Sequence, residues 1–273
     1  MLSNFQNIVL PTDFSDASTT AFAHALRIVL ATKGKLSLVH VADTAFDVAD
    51  EFPHIRHALA LWKLMDENDP PAAVGRFGIK VTKTTLASEA LIPSLIEFLD
   101  EHPIDLLVLT THGRDGLAHW LRGSIAESIS SAARVATLFI PSNARGFIDQ
   151  SSGQVHLSRI LMPIDHSPSP TEAFSAVRAF VGSLNQSAVH FELIHVGETA
   201  PLFGGGEDFP VTLQSGDPVS TILTTAKEQQ VDLIAMPTAG HHGFLDALRG
   251  STTERVLRHA PCPVLALPAN PIS

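Results

Sequence analysis

The sequence predicts an α/β protein made of two tandem copies of one domain, each with a mostly parallel, five-stranded sheet between helices. Short apolar segments alternate with segments whose apolar residues recur at helical spacing, a pattern typical of β-α-β units. Motifs of the first half also recur in the same order in the second half, which indicates internal duplication. We therefore expect helices on both faces of each sheet.

Three repeated motifs define the two copies. NIVLPTD at 7–13 matches RILMPID at 159–165, LVHV at 38–41 matches LIHV at 193–196, and LRGS at 121–124 recurs at 248–251. The offset falls from 155 to 127 residues, so the second copy lacks 28 residues after its second strand. We expect a first domain at 1–142, a polar linker at 143–156, and a second domain at 157–273 that lacks the helix after strand two.

The first copy contains an insertion between its second and third strands. We expect strands at 6–10, 35–41, 80–85, 105–109 and 137–140, and helices at 15–31, 54–68, 88–101 and from Ser124 onward. Gly34 suits the C-terminus of the first helix, and Pro70-Pro71 prevents continuation of the insertion helix.

The second copy repeats this order without the insertion helix. We expect strands at 159–162, 188–196, 211–214, 232–236 and 264–267. Helices are expected at 170–181, at 218–229 and from Ser251 onward. Ligands of such sheets bind beyond the carboxyl ends of the strands, where the strand order switches.

Composition excludes several classes of protein. The formal charge of −10 argues against nucleic-acid and anionic-membrane partners, which require clustered Lys and Arg. The single cysteine, Cys262, excludes a disulfide framework and a Cys-based zinc site, and we interpret it as a small buried residue. The N-terminus has no signal-peptide pattern and no uncharged apolar run reaches membrane-spanning length, so we expect a cytoplasmic protein.

A glycine-containing segment follows the fourth strand of each copy. Gly113 and Gly240 are each followed, after nine intervening residues, by Gly-Ser at 123–124 and 250–251. Glycine permits a close backbone approach, and the helix that opens at the serine offers free N–H groups to an anion. The spacing therefore predicts a phosphate cradle. The alternative is a capping box, Ser-x-x-Glu, which explains the serines without a ligand but not the fixed glycine interval.

These ordered motifs resemble the universal stress protein family, in particular its tandem-domain members. The resemblance rests on Pro-x-Asp after strand one, His-Val at the end of strand two, and Gly-x9-Gly-Ser after strand four. HGRDGLAHWLRGS and GFLDALRGSTTERVL are typical of the family, and the likeness covers nearly the whole chain twice. It implies two Rossmann-like domains of the adenine nucleotide alpha hydrolase-like type, and a nucleotide, ATP or AMP, above the strand ends.

By this resemblance, residues of both copies are carried over to a nucleotide site. Asp13 and Val41 would meet the adenine or ribose, and the glycine segment would hold the phosphates. The first-domain set is Pro11, Asp13, Val41, Leu109, Thr110, Gly113, Gly123, Ser124 and Ile125. The second-domain set is Asp165, Val196, Met236, Gly240, Gly250, Ser251 and Thr252.

The sequence departs from the family pattern where Gly-x2-Gly-x9-Gly-Ser/Thr has its first glycine. That position is Thr110 in the first copy and Pro237 in the second. Threonine keeps its backbone N–H, whereas proline lacks this donor and fixes φ. We therefore expect the first domain to be the better nucleotide site, with Mg²⁺ accompanying ATP, and the second site to be weaker or altered.

Other constellations give weaker signals. The fourteen histidines include no His-Glu-x-x-His pattern, and His40 and His195 are equivalent strand-end residues, so no metal site is predicted. There is no Gly-x-Ser-x-Gly elbow and no P-loop, so no dedicated enzyme is implied. An aspartate such as Asp13, between a strand and a helix, is more often a cap or a ligand acceptor than a base.

The leading functional hypothesis is a cytoplasmic stress-response protein that binds adenine nucleotide as a sensor or regulator. The alternative is a nucleotide-free interaction module whose second domain docks a partner or another small ligand. A third hypothesis is a slow ATPase. By the same resemblance, we expect the two domains to form an intramolecular pseudo-dimer through the strands at 137–140 and 264–267. Two such chains could pair as a homodimer.

Overall fold

A single sheet runs through both halves of the chain. The structure, a computed structural model, describes residues 5–42, 51–88, 90–110, 135–142, 144–202, 209–238 and 252–268. Ten strands in these residues form one sheet in the order β3-β2-β1-β4-β5-β10-β9-β6-β7-β8. The strands are β1 Asn7–Pro11, β2 Lys35–Ala42, β3 Lys80–Ala87, β4 Leu106–Thr110, β5 Ala136–Ile140, β6 Arg159–Pro163, β7 His190–Val196, β8 Val211–Gln214, β9 Leu233–Thr238 and β10 Val264–Pro268.

Helices cover both faces of the sheet. In the described residues they are α1 Asp16–Thr32, α2 Ile55–Leu61, α3 Leu91–Glu101, α4 Pro170–Ser183, α5 Pro218–Glu228 and α6 Thr252–Leu257, with a 3₁₀ helix at Pro71–Phe77. One apolar core contains buried residues of α1 and α4, and the other contains those of α3, α5 and α6. The predicted α/β class, with five strands per half, is confirmed.

The two halves meet at the only antiparallel strand pair among the described strands. Leu138 of β5 lies opposite Leu265 of β10, and both side chains are fully buried. The other pairings are parallel, as β-α-β connections require. The two halves thus meet where the sequence predicts a contact between the last strands of the copies, and the sheet is continuous across this pair.

Helix α1 begins and ends for local reasons. The hydroxyl of Ser15 accepts a hydrogen bond from the N–H of Ser18, which caps the N-terminus. At the other end, the residue that ends the helix in the left-handed conformation is Lys33 (φ 53°). The sequence predicts Gly34 for this position. Gly34 has another role, since a Cβ there would lie 2.0 Å from the carbonyl oxygen of Gln6. It allows close packing of two backbones.

The insertion helix is shorter than the apolar pattern predicts. Helix α2 covers only Ile55–Leu61, because Lys63 adopts φ 58° and the N–H of Leu64 bonds back to the carbonyl of Leu59 at 2.9 Å. These are the features of a helix C-terminus. The expected apolar face is still used: Leu59, Trp62 and Met65 are buried.

The residues predicted as a linker pack tightly against the first half. Ile148 and Val155 form an antiparallel bridge, and the turn between them is held by the carboxylate of Asp149, which accepts hydrogen bonds from Ser151 and Ser152. The indole N–H of Trp62 donates to the carbonyl of Gln150 at 2.8 Å. This segment therefore attaches to α1 and to the insertion.

Candidate functional site

The switch in strand order places the candidate site of each half. In the first half β1 lies between β2 and β4, so successive strands leave β1 in opposite directions. In the second half β6 lies in the same way between β7 and β9. The crevice beyond the carboxyl ends of β1 and β4, or of β6 and β9, is where such sheets bind ligands.

Five of the predicted first-half residues lie at this edge. Pro11 and Thr110 end the neighbouring strands β1 and β4, and Val41 is the next-to-last residue of β2. Leu109 is buried in the core, with 9% of its surface exposed, so its side chain packs within the protein. The remaining predicted residues, Gly113, Gly123, Ser124 and Ile125, lie outside the described residues.

Asp13 is engaged by the start of helix α1. Its Oδ1 accepts hydrogen bonds from the backbone N–H of Ser15 at 3.0 Å and from the hydroxyls of Ser15 and Ser18, both at 2.6 Å. Asp13 thus supports the first turn of α1 through Ser15, the residue that caps the helix, and through Ser18. A ligand at this oxygen would compete with the two hydroxyl groups.

An aromatic stack stands beside Asp13. The ring of Phe14 lies on His40 with centroids 4.2 Å apart, and His40 Nδ1 is 2.7 Å from the carbonyl oxygen of Thr12. A carbonyl oxygen can only accept, so Nδ1 carries the proton. Phe14 was not among the predicted site residues, although its position directly after Asp13 is the signal that could have identified it.

In the second half, all four described site residues line one cavity. This cavity of about 270 Å³ is bordered by Asp165, Val196, Met236 and Thr252. Pro237 and Thr238, at the end of β9, also border it. Gly240, Gly250 and Ser251 lie outside the described residues.

Asp165 differs from its first-half equivalent, Asp13. The side chain of Asp165 is 70% exposed, and helix α4 begins at Pro170 without a side-chain cap. Proline at 170 replaces the serine found at 18, so a hydroxyl that holds Asp13 has no counterpart. The two aspartates therefore occupy the same place in the fold but have different surroundings.

The structure also assembles a group that sequence reasoning missed. One ligand-type atom from each of Asp165, His166 and His195 lies within 4.8 Å of the others. His195 is buried at the end of β7, and its Nδ1 is 3.0 Å from the carbonyl oxygen of Ile164. The signal in the sequence was His166 itself, which follows the strand-end aspartate where the first half has Phe14.

A cavity in the first half adjoins Asp13, since Phe14, Ser15 and Ser18 are among the residues that line it. It measures about 420 Å³ and separates α1 from α2, with Phe22, Leu61 and Trp62 among its apolar walls and Gln150 at its rim.

In the part of the chain that the structure describes, no helix is both long and apolar enough to cross a bilayer.

Comparisons with known proteins agree with this architecture. A family model described as the Universal stress protein family matches residues 4–141 and 178–268. A universal stress protein of Methanocaldococcus jannaschii is 27% identical over 146 residues, which span 50% of this chain and 82% of that protein. Universal stress protein A homolog 1 of Coxiella burnetii is 28% identical over 144 residues, covering 41% of this chain and 97% of that protein.

Solved structures show the same fold across both halves. A universal stress protein from Archaeoglobus fulgidus matches with a TM-score of 0.62 at 20% identity, over 98% of each chain. Since the family model matches well over half of the chain, with one segment in each half, the protein belongs to the universal stress protein family as a member with two tandem domains.

Proposed function

We propose that the chain is a cytoplasmic stress-response regulator that binds an adenine nucleotide, ATP with Mg²⁺ or AMP, in its first domain. The proposal rests chiefly on the glycine spacing behind β4, Gly113 followed by Gly123-Ser124, at the switch point of the first-half strands. Membership of the universal stress protein family supports the same ligand class.

The positions at the strand ends support a ligand in this crevice. Pro11 and Thr110 end adjacent strands, and both are half-buried. A nucleotide there would lie over the sheet edge, with its phosphates toward the segment that follows Thr110. The half-buried Val41, on the next strand, gives an apolar surface for a base.

The difference between the halves supports a preference for the first domain. Thr110 retains a backbone N–H, whereas its equivalent Pro237 has none to offer a ligand. Pro237 is also part of β9, where it lies opposite Leu267 of β10. We propose that the second site binds nucleotide weakly at most.

The pairing of β5 with β10 supports an intramolecular pseudo-dimer. In the proposed arrangement an approximate two-fold axis would relate the domains at 1–142 and 157–273, because the equivalent residues Leu138 and Leu265 lie opposite each other. Each domain would thereby cover the last strand of the other. No second chain is needed to protect those strand edges.

Titration calorimetry of the purified chain with ATP and with AMP tests the proposal, with and without Mg²⁺. Mass spectrometry of small molecules released on denaturation tests for a co-purified nucleotide. We expect one nucleotide per chain. The absence of both a released nucleotide and a saturable heat signal would overturn the proposal.

A matched pair of variants separates the two domains. Gly113→Val should abolish binding, because its side chain would fill the space proposed for phosphate. Gly240→Val makes the same change in the second domain and should leave the affinity within about twofold. Unchanged affinity in Gly113→Val combined with a loss in Gly240→Val would move the site to the second domain.

A nucleotide-free interaction module is the second candidate, and one observation favours it. The hydrogen bonds that Asp13 accepts from Ser15 and Ser18 give this aspartate a structural role without any ligand. Under this alternative, Ser18→Ala removes one hydrogen bond to Asp13 and lowers stability but leaves ATP titrations featureless. Under the leading proposal, ATP binding persists in Ser18→Ala.

A further inference from the structure

The second half has diverged from the first at three positions around one strand-end histidine. Alignment of the repeats places His166 where the first half has Phe14, Pro170 where it has Ser18, and Gly197 where it has Ala42. The histidine itself is present in both halves, as His40 and His195. Each of the three differences either removes a group that the first half has near its strand-end histidine or adds a metal-binding type of side chain beside His195.

In the first half these surroundings are closed. Phe14 covers His40 with a ring stacked at 4.2 Å and an interplanar angle of 29°. Ser18 holds the carboxylate of Asp13 at 2.6 Å, in the direction of helix α1. An aromatic hydrocarbon and a capped carboxylate offer no pair of donors to an ion beside His40.

In the second half, an imidazole replaces the phenyl ring. His166 lies edge-to-face with His195, with ring centroids 5.1 Å apart. The side chain of Asp165, 70% exposed, has its Oδ1 3.8 Å from His195 Nδ1. Oδ1 also accepts a hydrogen bond from the N–H of His166 at 2.7 Å. Two imidazoles and a carboxylate therefore lie together at the end of β7, with the carboxylate on the Nδ1 side of His195, so its side chain must rotate to share an ion with Nε2.

The buried histidine is oriented as a metal-binding imidazole would be. His195 Nδ1 donates to the carbonyl oxygen of Ile164 at 3.0 Å, which leaves the lone pair on Nε2 in the neutral ring. A backbone carbonyl that fixes the tautomer in this way is the usual partner of a metal-bound histidine. The side chain is only 7% exposed, so the ring has little freedom to turn away.

Gly197 lies directly against the Nε2 side of this ring. A Cβ on residue 197 would lie 2.3 Å from Nε2, a distance close to that of a metal–nitrogen bond. The equivalent residue of the first half, Ala42, carries such a methyl group. The absence of a side chain at 197 thus keeps a carbon atom out of the position beside Nε2, the atom of His195 that has a free lone pair.

From these observations we propose that Asp165, His166 and His195 bind one divalent transition-metal ion of the Zn²⁺ type. Two imidazoles and one carboxylate are donors that Zn²⁺ and its first-row neighbours prefer, whereas Mg²⁺ and Ca²⁺ require oxygen ligands. Asp165 and His166 are exposed, so their side chains can rotate toward the fixed His195 when an ion enters.

Three protein ligands leave a coordination position open. The cavity of about 270 Å³ that Asp165 and His195 border also has Thr238, Thr252 and Thr253 in its wall. Water or an anionic oxygen of a small ligand in this cavity would complete a tetrahedral site. This metal site is independent of the nucleotide proposed for the first domain.

Titration of chelator-treated full-length protein with Co²⁺ and Zn²⁺ alone, without nucleotide, tests the proposal. We expect one saturable equivalent per chain by calorimetry, and visible absorption of the Co²⁺ form that Zn²⁺ displaces. His166→Phe, which restores the first-half residue, and Asp165→Asn should each weaken binding at least about tenfold. Gly197→Ala should weaken it as well, because its Cβ would fall 2.3 Å from Nε2 and displace the ring of His195.

The control addresses the other histidines of the chain. His190 is 64% exposed and its Nε2 lies 3.6 Å from Glu192, so it forms a His–carboxylate pair outside the site. His190→Phe should leave the affinity and the stoichiometry unchanged. The proposal is overturned if the parent protein shows no saturable equivalent, or if His166→Phe and Asp165→Asn bind Co²⁺ as the parent does. Because His166 and Asp165 are exposed, both variants should fold, which circular dichroism checks.

Discussion

The imidazole of His24 fixes the segment after β5 to helix α1 through the backbone of Phe147. His24 Nε2 accepts hydrogen bonds from the N–H of Phe147 at 3.1 Å and of Ile148 at 3.3 Å, and Nδ1 donates to the carbonyl of Thr20 at 2.8 Å. The imidazole of His24 and the phenyl ring of Phe147 also lie edge-to-face, with their centroids 4.6 Å apart. Only the neutral imidazole can make this set of contacts, because Nε2 must accept.

Stability should therefore fall as the pH decreases from about 6.5 to about 4. Burial lowers the pKa of His24 from 6.5 to about 4, so the unfolded chain takes up a proton in this window before the native one does. The contribution of His24 is complete above the unfolded pKa and is lost as the pH falls through the folded pKa. The loss in the free energy of unfolding across this pH window amounts to ~3 kcal/mol.

Urea unfolding between pH 4 and pH 7 measures this effect. His24→Gln retains an acceptor without a titrating group, so its free energy of unfolding should change less over this range. His57→Gln removes a histidine whose side chain is 70% exposed and should follow the parent. If His24→Gln keeps the full pH dependence of the parent, His24 is not its source.

Gly153→Ala should destabilise the protein by about 2 kcal/mol or more. Gly153 has φ 67°, and a Cβ there would lie 2.4 Å from the ring of the buried Trp62. Gly182→Ala in helix α4 is the control, since its Cβ would meet no atom within 4 Å, and it should be neutral or stabilising by up to about 1 kcal/mol. Denaturant unfolding of both variants compares them, and equal stabilities would contradict the close contact.

Asp105→Ala should cost roughly 1–3 kcal/mol, because two backbone N–H groups lose a charged acceptor. Asp105 Oδ2 accepts from the N–H of Gln6 at 3.0 Å and from the N–H of Asn7 at 2.7 Å. Asp232 makes the same contacts with Ser158 and Arg159, so Asp232→Ala should have a similar cost.

The control for the aspartate pair is Glu228→Ala, at an exposed position that ends α5, which should change stability by no more than about 0.5 kcal/mol. Thermal and urea unfolding of the three variants give the ranking. A cost for Asp105→Ala no larger than that of Glu228→Ala would show that the strand-start hydrogen bonds contribute little.

Cys262 should resist thiol reagents in the native protein. Its side chain is buried, and burial raises the pKa of the thiol to about 12, with the charge of Asp232 acting in the same direction. The thiolate, which is the reactive form, is therefore scarce at neutral pH. Labelling with a disulfide reagent should be complete in denaturant and slow without it. Fast native labelling would mean that the β9–β10 side of the second domain opens readily.

The sequence was sufficient for the duplicated strand order and for the contact between halves. Buried strands such as Leu106–Thr110 and Leu233–Thr238 show as short apolar runs, because both of their faces are covered by helices. Their boundaries differ from the prediction by one or two residues. Local hydrogen bonding decides such ends, and periodicity does not report it.

The end of the insertion helix and the role of Gly34 could not be predicted from the sequence. The apolar residues Leu59, Trp62 and Met65 fit one long helix, yet a left-handed Lys63 divides them between α2 and the following turn. They are buried in either conformation, so the apolar pattern cannot distinguish the two. The contact of Gly34 with Gln6 joins residues from different elements.

The amino-acid sequence by itself determined the family, the order of strands and helices, and the repeated strand-end aspartates. It could not determine what those aspartates contact. Only the tertiary structure decided that Asp13 accepts hydrogen bonds from Ser15 and Ser18, while Asp165 lies beside His166 and His195. The physical reason is that the contacts of Asp13 depend on the local turn into α1, whereas His195 comes close to Asp165 only because β7 pairs with β6 in the sheet.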